Sequence, residues 1–209
     1  MGSAPLKRKK QTHPFTFLSI VIPVYNEREN LPALFRRLER VFAKLPYGAE
    51  CIVVDDRSTD GSAEYLLSRA WPFRCRVLRK QGTKGKLQSL LEGIAVAEGG
   101  IITMIDADLQ YPPESIPTLV KAIGTYDIVV ARRTRRRTSF LRSAFSRTFN
   151  LVFGRFLLSL TVDVQSGLKV FRKDALTGVT FSPSAWGFDY QFLFQSRRAC
   201  AMIRASADA

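Results

Sequence analysis

The sequence predicts an α/β domain built on a doubly wound parallel sheet, and two observations support that prediction. Short, nearly continuous apolar runs recur along the chain, as in strands that are buried on both faces of a sheet. Between them lie segments whose apolar residues repeat at three- and four-residue steps, as on one face of a helix. A chain of 209 residues, 46% of them hydrophobic, suits one such domain with a substantial core.

The predicted strands and helices alternate along the chain with short connections, which is the pattern of a doubly wound fold. The predicted strands are FLSIVIPV (17–24), CIVVDD (51–56), CRVLRK (75–80), IITMID (101–106) and DIVVAR (127–132). The first helix has an apolar face formed by Leu31, Leu34, Phe35, Leu38, Val41, Phe42 and Leu45. A second helix is marked by Leu87, Leu90, Leu91 and Ile94, and a third by Ile116, Leu119, Val120 and Ile123.

The chain is strongly basic, with a formal net charge of +14 and a pI near 10.2. This charge implies an anionic partner, which can be nucleic acid, anionic lipid or a phosphorylated substrate. The three cysteines form no CxxC pair, so they favour reduced thiols over a zinc site or a disulfide framework. The only histidine, His13, lies in residues 1–16, which we interpret as a disordered basic tail. Serine–histidine and histidine–metal chemistry are therefore not expected.

Residues 133–162 differ in character from the rest of the chain. An arginine-rich stretch over 132–147 is followed by the 14-residue run FNLVFGRFLLSLTV. This run is too short to cross a bilayer, which takes about 20 apolar residues, but it suits the interface of a membrane. The alternative is a core helix beside a solvated basic stretch, and composition favours neither. A further alternative, from a different class, is nucleic-acid binding through the arginines.

Polar and glycine-rich residues follow four of the predicted strands, in the segments PVYNE, DDRSTDG, KQGTKGK and DADLQ. Ligands of open α/β sheets bind beyond the carboxyl ends of the strands. One such end would be ordinary turn chemistry, but four at the same edge of a sheet indicate a binding site. A nucleic-acid interface would leave these acidic strand ends unexplained, so no nucleic-acid partner is expected.

The segment DADLQ offers ligands for a hard divalent cation. Asp106 and Asp108 supply carboxylates, and Gln110 adds a carbonyl oxygen on the same side if the chain stays extended. Mg²⁺ takes one or two protein carboxylates and leaves positions for substrate phosphates. The segment therefore suits a nucleoside diphosphate with bound Mg²⁺ or Mn²⁺ better than a closed structural metal site.

The two other polar strand ends suit a nucleotide. Asp55 and Asp56 can accept hydrogen bonds from a nucleobase or a ribose, although Asp56 can equally cap the next turn. The segment KQGTKGK lacks the spacing of a phosphate-binding Walker loop, and no GxGxxG occurs, so a nicotinamide cofactor is not expected. Lys84 and Lys86 can still reach phosphates as point charges.

In order and spacing, four segments resemble the family 2 glycosyltransferases of GT-A fold. They are FLSIVIPVYNEREN, IVVDDRSTDGS, IDADLQYPPE and DVQSGLKVFRKD, and the match runs from about Leu18 to Arg198. The resemblance is greatest to the branch containing dolichol-phosphate mannose synthase and the bacterial polyprenyl-phosphate glycosyltransferases. It implies a mixed, mostly parallel sheet and one catalytic domain over residues 17–209, truncated at its C-terminus. The implied activity is transfer of a sugar from a UDP- or GDP-linked donor to a polyprenyl phosphate at the cytoplasmic face of a membrane.

The resemblance also assigns roles to individual residues. The nucleotide pocket would contain Pro23, Tyr25, Glu27, Val54 and Asp56. The metal and the diphosphate would be held by Asp106, Asp108 and Gln110, with Ala107 lining the donor site. The acceptor phosphate would be held by Arg133, Arg142, Arg147 and Ser166, with Asp163, Gly167 and Arg172 completing the last motif. In this view residues 133–162 dock on an anionic membrane surface, and Arg133 takes part in catalysis with Asp108.

One departure from the family concerns the segment WGFDYQFLF. The branch usually has a glutamate there, where this chain has Gln191 or Leu193, with Asp189 and Gln195 nearby. A polyprenyl phosphate is already anionic and needs positioning by arginines more than deprotonation. A hydroxyl acceptor, as in polysaccharide synthesis, would need a base, and Asp189 is the residue that we propose for that alternative. A truncated, inactive member is a further alternative.

Overall fold

The computed structural model describes residues 17–124, 126–132, 166–179, 181, 188–198 and 202–206. The predicted basic tail, residues 1–16, and the predicted membrane-docking segment, residues 133–162, lie outside the described residues.

Strands and helices alternate through the first two thirds of the chain, as predicted. In chain order they are β1 (Phe17–Val24), α1 (Leu31–Phe42), β2 (Gly48–Asp55), α2 (Ser62–Leu67), β3 (Cys75–Arg79), α3 (Lys86–Val96), β4 (Ile101–Ile105), α4 (Ile116–Ala122), β5 (Ile128–Ala131), β6 (Leu168–Arg172), α5 (Phe188–Arg198) and β7 (Ile203–Ser206). Short 3₁₀ turns cover Pro113–Ser115 and Lys173–Leu176.

The strands form one sheet in the order β3-β2-β1-β4-β6-β5-β7. Strand β6 runs antiparallel to β4 and β5, whereas the other neighbouring pairs are parallel. The sheet is therefore mixed and mostly parallel, which confirms the predicted fold class. The strand order reverses between β1 and β4, and such a switch point is where ligands bind in open α/β sheets.

The sequence pattern did not predict strands β6 and β7. Strand β6 contains the fully buried Lys169 at its second position, so it shows no continuous apolar run. Strand β7 has only four residues, too few for a period to be read. Strand β6 pairs with β4 and β5, and β7 pairs with β5, so both satisfy backbone groups of strands distant in sequence, which is a tertiary requirement.

Strand β2 also starts three residues earlier than predicted. Glu50 interrupts the apolar run, yet it is fully buried. Its carboxylate accepts hydrogen bonds from the Ser19 hydroxyl at 2.7 Å and from the Glu98 N–H at 2.8 Å, and it pairs with Arg76 at 2.6 Å. Because a buried charge is stable only when it is paired and hydrogen-bonded, this network lets a polar residue stand inside the strand.

Apolar layers cover both faces of the sheet. On one face α1 buries five of its predicted residues, Leu31, Leu34, Phe35, Leu38 and Val41, while Phe42 and Leu45 are partly buried at its edge. On the other face α3 buries Leu90 and Ile94. A Cβ at Gly93 would lie 2.5 Å from Cγ1 of Val21, so this glycine lets α3 approach the sheet closely. Helix α3 begins at Lys86, and this close packing places Lys86 beside the ends of β1 and β4.

Candidate active site

A cleft of about 530 Å³ lies beyond the carboxyl ends of β1, β2 and β4 and against the start of α3. The residues that line it come from all four polar segments predicted at this edge, namely Pro23, Val24, Tyr25, Glu27, Asp56, Lys84, Gly85, Lys86, Ser89, Asp106, Ala107 and Asp108. Eight of the ten residues predicted for the nucleotide-sugar site are among them, so the four segments do converge on one cavity.

The loops after β1 and β2 are held together by hydrogen bonds. The Asn26 N–H donates to the Ser58 hydroxyl at 2.9 Å, and the Thr59 N–H donates to Oδ1 of Asn26 at 2.8 Å. The Arg28 N–H donates to Oδ2 of Asp60 at 2.9 Å. Burial alone would raise the pKa of Asp60, but the hydrogen bonds that it accepts from Ser62 and Arg28 lower that pKa overall. These bonds fix the walls of the cleft before any ligand binds.

Asp56 anchors the loop that precedes α3. Its Oδ2 accepts the Gly85 N–H at 2.7 Å, and its Oδ1 lies 2.8 Å from Nζ of Lys80. Lys80 also donates to the Gly85 carbonyl and to the Ser89 hydroxyl, each at 3.1 Å, and its side chain is fully buried. The sequence reasoning did not single out Lys80, since its burial depends on α3 closing over it. Asp56 therefore shapes the cleft as well as lining it.

Tyr25 and Lys84 form the exposed side of the cleft. The Tyr25 side chain is 51% exposed, and Nζ of Lys84 lies 4.9 Å from the centre of its ring. This is a cation–π distance. An exposed aromatic face next to a lysine offers stacking for a base and a charge for a phosphate.

The carboxylates of Asp106 and Asp108 lie at the end of β4. Both oxygens of Asp106 contact Nζ of Lys86, at 2.7 and 2.9 Å. Burial raises the pKa of Asp106 above its usual range, although the Lys86 ammonium acts in the other direction. Burial alone would lower the pKa of Lys86, but the Asp189 and Asp106 carboxylates outweigh it, so the pKa of Lys86 is raised and the ammonium stays charged.

The structure does not support the predicted position of Gln110. Strand β4 ends at Ile105, and Leu109 has a positive φ of 60°, so the chain turns where the prediction needed it to stay extended. Gln110 is exposed, and its backbone N–H donates to Oδ1 of Asp108 at 3.0 Å. Gln110 therefore stabilises Asp108 through its backbone, while its side chain is absent from the lining of the cleft.

Helix α5 brings Asp189 to the same region. Its Oδ1 lies 2.5 Å from Nζ of Lys169, and its Oδ2 lies 3.8 Å from Nζ of Lys86. Lys169, which is fully buried, also donates to the Ser166 carbonyl. Burial lowers the pKa of Lys169, and the Asp189 carboxylate opposes that shift. The two lysines and the two aspartates, Lys86, Lys169, Asp106 and Asp189, form a charged cluster that sequence reasoning did not find, because its members come from four elements.

Three other predicted site residues lie elsewhere. Val54 is fully buried in the core beneath the cleft. The Ser166 hydroxyl is buried and exchanges hydrogen bonds with the Leu168 backbone, so its contact with an acceptor phosphate stays a prediction. Arg172 is paired with Ile101, at the opposite end of β4, where it donates to the carbonyls of Gly124 and Tyr126. The predicted acceptor residues Arg133, Arg142 and Arg147 and the motif residue Asp163 lie outside the described residues.

The carboxylates suit a metal that is completed by its substrate. Asp106 and Asp108 line an open cleft, and carboxylate oxygens are the ligands that hard divalent cations prefer. Within the residues that the structure describes, no group of three or more His, Cys, Asp or Glu side chains is arranged to hold a metal alone. One or two carboxylates beside space for phosphates are what Mg²⁺ and Mn²⁺ sites of this kind require.

The described part of the chain contains no helix with the length and apolar character needed to span a bilayer.

A mostly parallel sheet with one antiparallel strand, and a carboxylate-containing cleft at its switch point, define the class of GT-A glycosyltransferases. More particularly, this chain belongs to Glycosyl transferase family 2, whose sequence model matches residues 19–180. The predicted family is confirmed.

Two curated relatives place the chain within that family. It is 37% identical over 166 residues to the undecaprenyl-phosphate 4-deoxy-4-formamido-L-arabinose transferase of Pseudomonas syringae pv. syringae (strain B728a), across 77% of this chain and 49% of that protein. It is 33% identical over 189 residues to the dolichol-phosphate mannosyltransferase of Pyrococcus furiosus, across 86% of this chain and 53% of that protein. Both relatives are named as polyprenyl-phosphate glycosyltransferases, as the motifs predicted. The chain spans about half the length of each.

Solved structures share the fold at low sequence identity. The mannosyltransferase from Pyrobaculum calidifontis in complex with GDP-Man and Mn²⁺ has a TM-score of 0.68 and 19% identity, covering 94% of this chain and 56% of that one. The glucosyl-3-phosphoglycerate synthase from Mycobacterium tuberculosis in complex with Mn²⁺, UDP-glucose and phosphoglyceric acid has a TM-score of 0.64 and 18% identity, covering 91% and 69%. Both of these structures contain Mn²⁺.

Proposed function

We propose that this chain carries the donor site of an inverting glycosyltransferase that moves a sugar from a UDP- or GDP-linked donor to a polyprenyl phosphate. The observation that carries the proposal is the cleft at the switch point, which is lined by the carboxylates of Asp106 and Asp108 together with Lys84 and Lys86. Carboxylates that bind a divalent cation, beside lysines that bind phosphate, suit a nucleoside diphosphate. The names of the curated relatives support polyprenyl phosphate as the acceptor.

The residues that line the cleft suit each part of a nucleotide-sugar donor: the base, the ribose, the diphosphate and the sugar. The exposed ring of Tyr25 offers a stacking surface for the base, and Asp56 and Glu27 offer acceptors for base or ribose hydroxyls. Lys84 lies next to that ring and is placed to pair with the diphosphate. Ala107, buried between the two aspartates, leaves room for the sugar.

Asp106 and Asp108 would hold Mg²⁺ or Mn²⁺, which when bound neutralises the negative charge on the departing diphosphate. The role of the protein is to keep the two carboxylates in place. The Asp106 N–H donates to the Gly167 carbonyl at 3.1 Å, and the Gln110 N–H orients Asp108. Both anchors are backbone groups, so the positions of the aspartates depend on the fold and not on flexible neighbours.

The acceptor end of the reaction is proposed to lie toward residues 133–162, with Arg133, Arg142 and Arg147 binding the lipid phosphate. A phosphate acceptor is ionised at neutral pH, so it needs orientation by arginines and not a base. We place the enzyme at the cytoplasmic face of a membrane, where an anionic surface would attract a chain with a net charge of +14. Flotation with anionic vesicles tests this placement; a folded chain that stays in the unbound fraction would contradict it.

The first test is calorimetric titration with UDP and with GDP, in the presence and absence of Mn²⁺. We expect metal-dependent binding of one nucleotide, and loss of that binding in Asp108→Ala. Metal-independent binding would refute the role of the metal, and equal binding by the variant would refute the role of Asp108; binding of neither nucleotide would refute the donor site. Transfer of radiolabelled sugar to a short-chain polyprenyl phosphate then tests the acceptor.

Transfer to a sugar hydroxyl is the second candidate function, and the position of Asp189 favours it. Helix α5 sets this carboxylate 3.8 Å from Lys86, at the edge of the donor cleft, where a base would be required. Under this alternative Asp189→Asn abolishes transfer without weakening nucleotide binding. Asp189 also neutralises the buried Lys169, so the comparison requires a variant that circular dichroism shows to be folded. Under the polyprenyl-phosphate proposal that folded variant keeps most of its transferase activity.

A further inference from the structure

Lys86 directly contacts Asp106, one of the two proposed metal ligands. Its Nζ lies 2.7 Å from Oδ1 and 2.9 Å from Oδ2 of Asp106. The same Nζ lies 3.8 Å from Oδ2 of Asp189. One ammonium group therefore contacts both oxygens of one carboxylate and also neutralises part of a second.

We propose that Lys86 is an internal counter-ion of the donor cleft. In the absence of ligand the Lys86 ammonium pairs with the Asp106 carboxylate and competes there with a divalent cation. When the nucleotide binds, the ammonium changes partner and pairs with the diphosphate. The inference rests on the proposed function, because it takes Asp106 as a metal ligand.

The divalent cation and the Lys86 ammonium compete because both use the lone pairs of the Asp106 carboxylate oxygens. A divalent cation bonds directly to an ionised carboxylate oxygen, while the Lys86 ammonium is hydrogen-bonded to both oxygens of Asp106. The ammonium also adds a positive charge where a second positive charge would arrive, which is unfavourable at this separation. Lys86 must therefore withdraw before Asp106 can bind the metal fully.

The structure leaves Lys86 room to withdraw. Its side chain is 36% exposed, whereas the side chains of Lys80 and Lys169 are fully buried in ion pairs with Asp56 and Asp189. Four methylene groups let the ammonium change partner without movement of the backbone. Lys80 and Lys169 are thus fixed parts of the fold, and Lys86 is placed to exchange.

The new partner is the diphosphate of the donor. Lys86 lines the cleft together with Lys84, so an anion that enters there offers the ammonium a second site. Binding of the nucleotide then frees Asp106, and the affinities for metal and nucleotide rise together, as a coupling between two ligands requires. The lysine would keep a metal-free, empty site electrically balanced while favouring the metal only when the donor is present.

The test is Mn²⁺ binding by the full chain without nucleotide, followed through the electron paramagnetic resonance of free Mn²⁺. Lys86→Met is expected to raise the affinity for Mn²⁺ about tenfold, because it removes both the competitor and its charge. Lys86→Arg keeps the charge and should resemble the wild type. The matched control is Lys84→Met, which removes the same charge from the same cleft but from a side chain that contacts Tyr25.

A second titration adds UDP or GDP. The nucleotide should raise the Mn²⁺ affinity of the wild type more than that of Lys86→Met. If Lys86→Met and Lys84→Met raise the Mn²⁺ affinity equally in the absence of nucleotide, the effect comes from the net charge of the cleft alone. That result would overturn the inference. An unchanged Mn²⁺ affinity in Lys86→Met, with binding still lost in Asp108→Ala, would overturn it and leave the proposed function standing. No Mn²⁺ binding by any variant that circular dichroism shows to be folded would refute both.

Discussion

Replacing Gly167 by alanine should weaken metal-dependent nucleotide binding roughly a hundredfold while leaving the fold nearly intact. Gly167 lies immediately before β6, and its carbonyl accepts the Asp106 N–H. A Cβ at this position would lie 2.2 Å from Oδ2 and 2.8 Å from Cγ of Asp106. Ordinary contact begins near 3.4 Å, so the carboxylate must move by about 1 Å.

The size of the effect differs for the fold and for the site. The clash is with the end of a side chain, which can rotate, so the free energy of unfolding should fall by only about 1–2 kcal/mol. A metal ligand has less freedom, and a displacement of about 1 Å is enough to weaken a preorganised site roughly a hundredfold. The displaced carboxylate would also lose its contacts with Lys86 and its position as a metal ligand.

Two measurements separate these effects. Calorimetric titration with UDP and GDP in the presence of Mn²⁺ gives the affinity, and urea denaturation gives the free energy of unfolding. Gly100→Ala is the matched control, because Gly100 precedes β4 and a Cβ there would meet nothing within 4 Å. Unchanged nucleotide affinity in Gly167→Ala would show that Asp106 is not a metal ligand. A loss of stability as large as the loss of binding would show that Gly167 serves the core instead.

Three other expectations concern parts of the fold beyond Gly167. Glu50→Gln should lower the free energy of unfolding by about 3 kcal/mol, because it disturbs a buried, paired carboxylate. Urea denaturation measures this free energy. The control is Glu64→Gln, at an exposed residue, which should change the free energy of unfolding little. Arg172→Ala should cost about 1–2 kcal/mol of stability through its lost hydrogen bonds to Gly124 and Tyr126, with nucleotide affinity unchanged in calorimetry; a loss of affinity alone would contradict its structural role. Mn²⁺ affinity should decline as the pH falls, starting above the range near pH 4 of an ordinary aspartate, because burial raises the pKa of Asp106 and a metal binds only the ionised form. A decline confined to lower pH would contradict this assignment.

The raised pKa of Asp106 also has a consequence for stability. Its folded-state pKa is raised above that of the unfolded chain, so the folded state binds the proton more tightly. The contribution of this group to stability is therefore greatest at low pH and falls as the pH rises through the folded-state pKa. At neutral pH this carboxyl group therefore contributes less to stability than it does at low pH.

The local pattern of the sequence determined the fold of the first two thirds of the chain and the position of the site. Strands β1 to β5 show continuous apolar runs, and α1, α3 and α4 show helical periods, because each buries its own residues against a sheet. The polar segments after β1, β2, β3 and β4 had to meet once those strands were parallel. For that reason the pattern predicted that Asp56, Asp106 and Asp108 lie at one site, and the resemblance to the family added Pro23 and Tyr25 to it.

Only the tertiary structure decided the charged cluster behind the carboxylates and the place of β6. Lys86, Lys169, Asp106 and Asp189 come from four elements, and no sequence spacing links residues that meet only across a sheet. Glu50 and Lys169 carry charges yet are fully buried, because partners distant in sequence neutralise them. Gln110 reads as a ligand on an extended strand, but the positive φ of Leu109 turns the chain away. The pairing of buried charges depends on residues distant in sequence, and the turn of the backbone depends on steric constraints. A local pattern of apolar and polar residues contains neither.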